Sequence, residues 1–410
     1  MGGLCWSRVV SEASLVGEVE IGLRARRLLL ALGTAVFMVN LDARVVAPLL
    51  PTLAGELHVT LARAGWLLSA YTLPYGFCQL MFGPLADRFG KVTVCAHAMA
   101  AFSVGTACCS LLPSFAAILT LRALTGAAAA GLIPLTLAYI GDTVPYSRRQ
   151  AAIATLMASG GAAQALSTSL GGSIAEVFSW RAVFPCLGAL ASLATLGLYV
   201  FGRHERRAPV LLRARTRYSE VLAAPRMRPL LALVASEGFL FMGGFSYLSG
   251  LLEERFHLGA FRIGLVLGLT GVAQLVAARS LSRLLRRFSE RRLMGLGGTA
   301  MGLAYLASAA APHWAFVALG CVLLGAGFIL CHTTLQTRAT EIFPSARGTA
   351  VALFAFSLFL GSGVGTAVLG AVLSPLGFGG LFALIGGLLL GFTVVVVRIL
   401  GPRLASQPTA

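Results

Sequence analysis

The chain has 410 residues, of which 57% are hydrophobic and only 11% are charged, and its formal net charge is +17. Soluble domains carry about 25% charged residues, so this composition excludes an ordinary soluble protein. In a soluble protein such a basic balance would indicate a nucleic-acid partner. Here the arginines cluster in alternate connecting segments, which is the distribution that sets membrane topology. We therefore predict a membrane protein with no nucleic-acid partner.

Cysteines and catalytic motifs narrow the function further. The eight cysteines lie mostly inside apolar segments, without the spacing of a metal site or a disulfide framework. We identify no nucleophile–base pair, metal cluster or phosphate-binding loop, so we predict that the protein is not an enzyme and needs no cofactor. The first 21 residues lack the apolar core of a cleavable signal peptide.

Long apolar runs divide the chain into about twelve segments, each long enough to cross a bilayer as a helix. The predicted spans are 27–50, 65–86, 92–112, 115–140, 148–174, 180–202, 229–252, 262–281, 291–311, 314–337, 348–374 and 378–400. They predict an N-terminal six-helix bundle over 27–202 and a C-terminal one over 229–400, with tails over 1–26 and 401–410 and a basic central loop over 203–228.

The loop charges predict the orientation. Nearly all loop arginines, together with Lys91, fall on one side of the predicted membrane, and such residues mark the cytoplasmic side. Both termini should therefore be cytoplasmic in a multi-pass protein of the cell membrane. The central loop, with eight arginines between Gly202 and Arg228, should contact anionic lipid at that face.

A short charged turn, Gly83-Pro84-Leu85-Ala86-Asp87-Arg88-Phe89-Gly90-Lys91, joins the second and third spans. It resembles the signature loop of the major facilitator superfamily, Gly-x-x-x-Asp-Arg-x-Gly-Arg/Lys. Gly83 lies one turn before Asp87 and should let two helices approach closely. Gly90 should reverse the chain. The resemblance implies an all-α membrane protein with twelve transmembrane helices in two pseudo-symmetric six-helix bundles.

A partial repeat at an offset of 199 residues supports two related halves. The second copy of the loop begins at Ser282 and carries Arg286 where the first carries an acid. The other matching positions are Phe89 with Phe288, Pro113 with Pro312, Gly126 with Gly325, Asp142 with Glu341, Pro145 with Pro344, and Arg148 with Arg347.

The family resemblance also implies a latch. Asp87 would lie against the start of the eleventh helix, near Gly348, and hold the halves in the outward-open state, because a helix N-terminus favours a carboxylate. Lys91 and Asp142 would form a local charge network. Since Arg286 replaces the acid in the second copy, the latch should be single. The predicted latch residues are Gly83, Asp87, Arg88, Gly90, Lys91 and Asp142.

The first span ends in Leu41-Asp42-Ala43-Arg44-Val45-Val46-Ala47-Pro48-Leu49-Leu50-Pro51. This resembles the first-helix motif of twelve-helix drug–proton antiporters, in which two prolines close the helix and a glycine commonly stands where Asp42 stands. An acid inside a bilayer is costly, which favours a role for Asp42 in the cavity, with simple pairing to another helix as the alternative. Arg44 lies about 200° further round the helix. We expect Arg44 to extend to the outer headgroups, with a role in the cavity as the alternative.

The fourth and fifth spans carry two more motifs. Arg122, followed by Gly126 and a run of small residues, resembles the fourth-helix motif of the superfamily and implies a role in proton coupling, a structural arginine being the alternative. The fifth span reads Ser167-Thr168-Ser169-Leu170-Gly171-Gly172 and lacks the proline of the Gly-Pro-x-x-Gly-Gly motif associated with export by exchange. This departure weakens the prediction of export.

Intramembrane polar groups predict the central site. Glu237, among phenylalanines of the seventh span, is the third proton-coupling candidate after Asp42 and Arg122, although a helix hydroxyl could equally satisfy it. A polar-aromatic stripe in the second span either lines the substrate path or packs between helices. With three further residues from the second half, the predicted cavity comprises Tyr71, Tyr75, Gln79, Phe241, His332 and Gln336.

Together these features predict a monomeric secondary transporter driven by the proton gradient. It should export lipophilic neutral or cationic small molecules by alternating access, as multidrug efflux proteins do. The preference for cations depends on Arg122 being paired with a helix acid. One alternative is proton symport of a small organic acid, with Arg122 binding the anion. A second is a receptor or scaffold that transports nothing.

Overall fold

The computed structural model describes residues 25–203 and 218–399, and the long elements in these ranges are helices. The predicted tails and most of the predicted central loop lie outside the described residues. We number the spanning helices α1 (Ala25–Glu56), α2 (Leu61–Phe89), α3 (Lys91–Leu111), α4 (Phe115–Thr143), α5 (Tyr146–Val177), α6 (Trp180–Gly202), α7 (Met227–Phe256), α8 (Ala260–Arg287), α9 (Glu290–Ala309), α10 (Trp314–Ile342), and α11 and α12, which together span Arg347–Ile399 and divide at Gly377.

These helices confirm the predicted all-α membrane fold. Among the described residues, eight helical stretches are long and apolar enough to cross a membrane, judged by length and composition, and one of them contains both α11 and α12. The more polar helices α2, α5 and α9 complete the set of twelve. A short helix, Tyr218–Ala223, precedes α7 and contacts it.

Side-chain caps and one glycine set several helix ends. The hydroxyls of Thr60, Ser114 and Ser289 accept hydrogen bonds from backbone N–H groups in the first turns of α2, α4 and α9. Such caps satisfy N–H groups that have no partner within the helix. Between α2 and α3, Gly90 has a φ of 88°, which a residue with a side chain rarely adopts. The predicted chain reversal at Gly90 is therefore confirmed.

Two local predictions are wrong. Pro48 and Pro51 do not close α1, because each lies in the first turn of a new helical segment, where a missing N–H is not needed. The chain passes through a 3-10 turn, Ala47–Leu49, and continues as a helix to Glu56. Gly83 is exposed, and a methyl group there would meet nothing within 4 Å, so no helix approaches it closely in this conformation.

The two halves repeat a close helix contact. A methyl group at Gly126 in α4 would overlap with the backbone carbonyl of Tyr71 in α2. In the second half, a methyl group at Gly325 in α10 would overlap with the carbonyl of Thr270 in α8. Both members of the pair are displaced by the same 199 residues. The internal repeat therefore extends from the sequence to the packing of the helices.

We call the side that carries Gly90 the signature face and the other side, which carries residues 57–60 and 257–259, the opposite face. The halves meet at the opposite face, where the Phe261 N–H donates to Glu176 Oε2 over 3.5 Å. Contacts between the halves also reach through the middle of the molecule, because Ser69 Oγ donates to the Gly363 carbonyl over 2.8 Å. In this conformation the centre is closed toward the opposite face.

Candidate functional site

An ion pair is buried inside the first half. The Arg122 guanidinium, on α4, donates from Nη1 to Asp42 Oδ2 on α1 over 2.7 Å, and both side chains are 0% exposed. The guanidinium carbon lies 4.4 Å from the centre of the Tyr71 ring on α2. Three helices thus meet around one charged pair, which brings together two of the predicted proton-coupling residues.

Several polar atoms of this cluster lack a hydrogen-bond partner among the described residues. They are Asp42 Oδ1, Arg122 Nε and Nη2, and the Tyr71 hydroxyl. A buried ion pair is stable only when its remaining donors and acceptors are satisfied as well. The Asp42–Arg122 pair is therefore held by a single hydrogen bond in an otherwise undersatisfied site. Such a pair is suited to separate when one partner loses its charge.

A second pair connects α7 and α10 in the other half. The ring nitrogen Nδ1 of His332 lies 2.8 Å from Glu237 Oε2, and the Glu237 side chain is fully buried. The tautomer of His332 decides which of the two donates. Directly after Glu237, α7 widens into a π-helical turn, Gly238–Met242, and such turns are frequent at functional sites.

A stack of aromatic rings begins at the histidine of this second pair. His332 stacks on Phe328 with centroids 4.5 Å apart, and Phe328 stacks on Phe241 at the same distance. The predicted residues Phe241 and His332 therefore belong to one stack. Gln336, also predicted to line the cavity, is exposed one turn further along α10. The histidine partner of Glu237 was not predicted, because the two residues lie 95 positions apart in the chain.

The predicted polar-aromatic stripe of α2 packs against the second half. Tyr75 lies 4.4 Å from Phe359 on α11, measured between ring centroids. Gln79 Nε2 donates to the Ala352 carbonyl, also on α11, over 3.3 Å. Tyr71 is turned toward Arg122 instead. In this conformation the residues of the stripe pack between helices, and that they line a substrate path stays a prediction.

Arg44 occupies a different position from the one expected. It lies between the halves and not toward headgroups, with its guanidinium carbon 5.4 Å from the centre of the Phe245 ring on α7. Its separation from Asp42 by two residues could have indicated this, because the two side chains leave α1 in different directions.

A cavity lies between α1, α5, α7 and α8. Nine residues line it, namely Arg44, Gln164, Thr168, Phe241, Phe245, Leu267, Thr270, Gly271 and Gln274.

The signature face carries the remaining predicted residues. Lys91 forms an ion pair with Asp142, while Asp87 and Arg88 are exposed. In the second half, the positions that match Lys91 and Asp142 are Glu290 and Glu341. Both contact Arg338, with nearest N–O distances of 2.8 Å for Glu290 and 3.9 Å for Glu341. Each half thus has a charge cluster at this face, with different partners.

Comparisons with known proteins agree with this architecture. The Major Facilitator Superfamily profile matches residues 32–366 and 251–410. The chain is 29% identical over 343 residues to the MFS-type transporter YceJ of Bacillus subtilis, which covers 82% of this chain and 87% of that protein. The tetracenomycin C resistance and export protein of Streptomyces glaucescens is 33% identical over 190 residues, covering 45% of this chain and 35% of that protein.

Solved structures give the same result for the fold. A mutant form of the nucleoside transporter NupG superposes with a TM-score of 0.73 at 14% identity, covering 90% of this chain and 98% of that one. A bacterial homologue of the human lysosomal transporter Spinster also gives a TM-score of 0.73, at 19% identity, covering 92% of this chain and 95% of that one. With its helices, internal repeat and matched profile, this chain belongs to the Major Facilitator Superfamily of transporters.

Proposed function

We propose that this transporter is proton-coupled and exports lipophilic small molecules by alternating access, as in the drug–proton antiporter branch of the superfamily. The observation that carries the proposal is the buried Asp42–Arg122 pair between α1 and α4. Ionisable groups inside membrane helices are costly and are typical of proton pathways. This pair also joins helices of the half that must move relative to the other.

Protonation of Asp42 would couple the proton to helix packing. A neutral Asp42 no longer compensates the charge of Arg122, and an uncompensated buried charge is strongly destabilising. Arg122 would then depend on the ring of Tyr71, which already lies beneath it. Two Arg122 nitrogen atoms, Nε and Nη2, already lack hydrogen-bond partners. Loss of the bond to Asp42 would add to this cost and favour a rearrangement of α1 against α4 that supplies new acceptors.

Glu237 and His332 supply a second candidate for proton binding. They form one hydrogen-bonded pair in the second half, and the stack from His332 through Phe328 reaches Phe241, which lines the cavity. A change of charge at this pair would act on the ring packing beside the cavity. We therefore propose that Asp42 and Glu237 act in different halves, each through its own partner.

Export is supported by the names of similar proteins and weakened by one motif. The related Streptomyces glaucescens protein is named for resistance and export, and we extend export to this chain on that basis. Against it, α5 lacks the proline of the family's exchange motif. The apolar wall of Phe241, Phe245 and Leu267 suits a lipophilic compound.

The preference for neutral or cationic compounds has less support than expected. Arg122 is paired with Asp42, as that prediction required, but Glu237 is also hydrogen-bonded to a partner, His332. Neither acid lines the cavity between the halves. A cationic substrate would therefore find no carboxylate there, and the charge preference has to be argued from the residues that do line the cavity.

We further propose that the signature face is cytoplasmic in the cell membrane. Most loop arginines, together with Lys91, are predicted to lie on this side, which is the rule for cytoplasmic loops. Anionic lipids at that face would neutralise part of the positive charge. The protein would act as a monomer, with two bundles, over 27–202 and 229–400, moving about the central cavity.

Asp42→Asn tests the coupling. Asparagine keeps the size and one acceptor, but it cannot take up the proton. In proteoliposomes with an imposed pH gradient, uphill transport of a panel of lipophilic dyes should be lost, while dye binding to the purified protein persists. The matched control is Glu254→Gln, which changes an exposed acid in the last turn of α7, near the opposite face. This variant should transport normally. Proton-driven transport that survives in Asp42→Asn would exclude Asp42 and leave Glu237.

A further inference from the structure

The cavity between the halves carries an unusual charge. Two of its four helices come from each half, so it lies where substrates of two-bundle transporters bind. Of its nine lining residues, Arg44 alone is charged, and the others are polar or apolar. An arginine never loses its proton at physiological pH, so this cavity keeps a permanent positive charge.

That charge is not compensated by an acid. No carboxylate of the described chain lies within 4 Å of the Arg44 guanidinium, and the nearby acid Asp42 is bound to Arg122. The guanidinium lies against the face of Phe245, and Tyr305 lies within electrostatic range of it. A ring face attracts the cation but leaves its N–H donors available. The fork of donors is thus open to a ligand.

Polar groups around Arg44 complete the site. The hydroxyl of Thr168 lines the cavity, its side chain is 2% exposed, and it has no hydrogen-bond partner among the described residues. The amides of Gln164 on α5 and Gln274 on α8 line the same cavity. A buried hydroxyl without a partner is costly, and a bound acceptor would relieve that cost. The donors therefore point to an acceptor-rich ligand.

We propose that the substrates of this transporter are amphipathic organic anions, whose carboxylate or similar group binds Arg44 and Thr168. In this conformation the cavity has a volume of only about 20 Å³, so a ligand enters only when the two halves separate further. The apolar body of the bound ligand would then pack against Phe241 and Phe245. This inference rests on the proposed function, because it names the substrate class of the same central cavity. It assigns the anion to Arg44 and not to Arg122, which Asp42 already occupies.

Three compounds of one shape test the proposal: 2-naphthoate, 2-naphthamide and 2-naphthylmethylamine. They carry a negative charge, no charge and a positive charge near neutral pH, and calorimetry would measure their binding to the purified full-length protein. Naphthoate should bind about tenfold more tightly than naphthamide, since a charge-assisted hydrogen bond is about twice as strong as a neutral one. Naphthoate binding no tighter than that of naphthamide, or undetectable for both, overturns the proposal.

Variants of Arg44 locate the effect. Arg44→Gln should lower naphthoate affinity about tenfold and leave naphthamide affinity unchanged. Arg44→Lys should retain part of the naphthoate affinity, because lysine keeps the positive charge but lacks the paired N–H donors of the guanidinium. Arg63→Gln is the matched control. Arg63 also lies 5.4 Å from a ring centre, that of Phe115, but it is exposed near the opposite face. Equal losses from Arg44→Gln and Arg63→Gln would contradict the assignment.

Thr168→Val covers the case in which Arg44→Gln does not fold. Valine keeps the shape and removes a hydroxyl that has no partner, so the melting temperature should rise or stay constant. Naphthoate binding should nevertheless weaken severalfold. A merely structural threonine would not change stability and binding in opposite directions. Thr168→Val that binds naphthoate as tightly as the unaltered protein would remove Thr168 from the site.

The two proposals fail separately. Naphthoate binding that depends on Arg44, combined with proton-driven transport in Asp42→Asn, would keep the anion site and overturn the coupling role of Asp42. Naphthoate binding that is indifferent to Arg44, combined with loss of coupling in Asp42→Asn, would do the reverse.

Discussion

Asp42 and Arg44 are two residues apart in α1, yet their charges serve different parts of the molecule. Asp42 faces into the first half and binds Arg122, whereas Arg44 faces the second half and lies on Phe245. The helical turn of about 100° per residue produces this division. One helix can therefore carry the proposed coupling acid on one side and the proposed substrate-binding charge on another, without the two neutralising each other.

The second half does not repeat the charged cluster. At the offset of 199 residues, Phe241 matches Asp42, Thr270 matches Tyr71, and Cys321 matches Arg122. Three uncharged side chains thus replace a charged pair and its aromatic neighbour. A buried acid of the second half, Glu237, comes one turn earlier in α7, where it meets His332 from α10.

Glu237→Gln tests whether the Glu237–His332 pair carries a proton during transport. Glutamine keeps the size and a hydrogen-bonding group opposite His332 Nδ1, so the melting temperature of the purified protein should change little. Because an amide does not titrate, the number of protons moved per substrate in proteoliposomes should fall if Glu237 carries one. His332→Asn would serve as the companion variant. Unchanged proton flux in Glu237→Gln would assign this pair to packing alone.

The helices pack most closely where glycines face backbone carbonyls. Gly126 and Gly325 take equivalent places in the two halves, each against a carbonyl of the neighbouring helix. Small residues allow this approach, and van der Waals contact then stabilises helix pairs in a membrane. Since a carbonyl in a helix cannot move aside as a flexible side chain can, these glycines fix the distance between α2 and α4 and between α8 and α10.

Gly126→Ala should therefore be destabilising, while Gly141→Ala should not. The added methyl at Gly126 overlaps with the Tyr71 carbonyl, and overpacking of this kind costs about 1–3 kcal/mol. Gly141 lies in the same helix and has nothing within 4 Å, so alanine there should be neutral or stabilising by up to about 1 kcal/mol. Thermal unfolding of both variants in one detergent gives the comparison. Equal melting temperatures would show that α4 can shift away from α2.

The sequence predicts where helices begin and end better than it predicts which helices contact each other. Apolar length and breakers place α6 at 180–202 with both ends as predicted, because span length follows from bilayer thickness. The turn at Gly90 follows from its backbone freedom. Which helix faces which is not encoded in local spacing, so neither the partner of Glu237 nor the helix that Arg44 meets could be predicted. Proline was misread in α1 because its effect depends on whether a new helix begins there.

For the molecule as a whole, one contact in the structure and the family resemblance together predict that a carboxylate stabilises closure at each of the two faces. At the opposite face, Glu176 at the end of α5 accepts from the Phe261 N–H in the first turn of α8. At the signature face, the family resemblance implies the same arrangement for Asp87 and the start of α11. A carboxylate at a helix N-terminus is stabilised by the helix dipole. Each acid would thus favour closure of its own face.

This symmetry predicts opposite shifts from two substitutions. Glu176→Ala removes an interaction that contributes about 0.3–1 kcal/mol, so states open at the opposite face should become about two- to fivefold more populated. Asp87→Ala should instead favour states open at the signature face. Arg286→Ala should do little, because the second copy of the loop has no acid to lose.

Labelling of single cysteines from either side of proteoliposomes measures both shifts. In a cysteine-free background, Ser169→Cys reports opening between α5 and α8 near the opposite face, where Ser169 donates to the Gly264 carbonyl. Leu275→Cys reports from the signature side, where Leu275 packs on Gly161. We expect Glu176→Ala to speed labelling at the first position and Asp87→Ala at the second. Similar effects of Asp87→Ala and Arg286→Ala would contradict a single latch, because only a carboxylate, and not an arginine, is stabilised at the N-terminus of a facing helix.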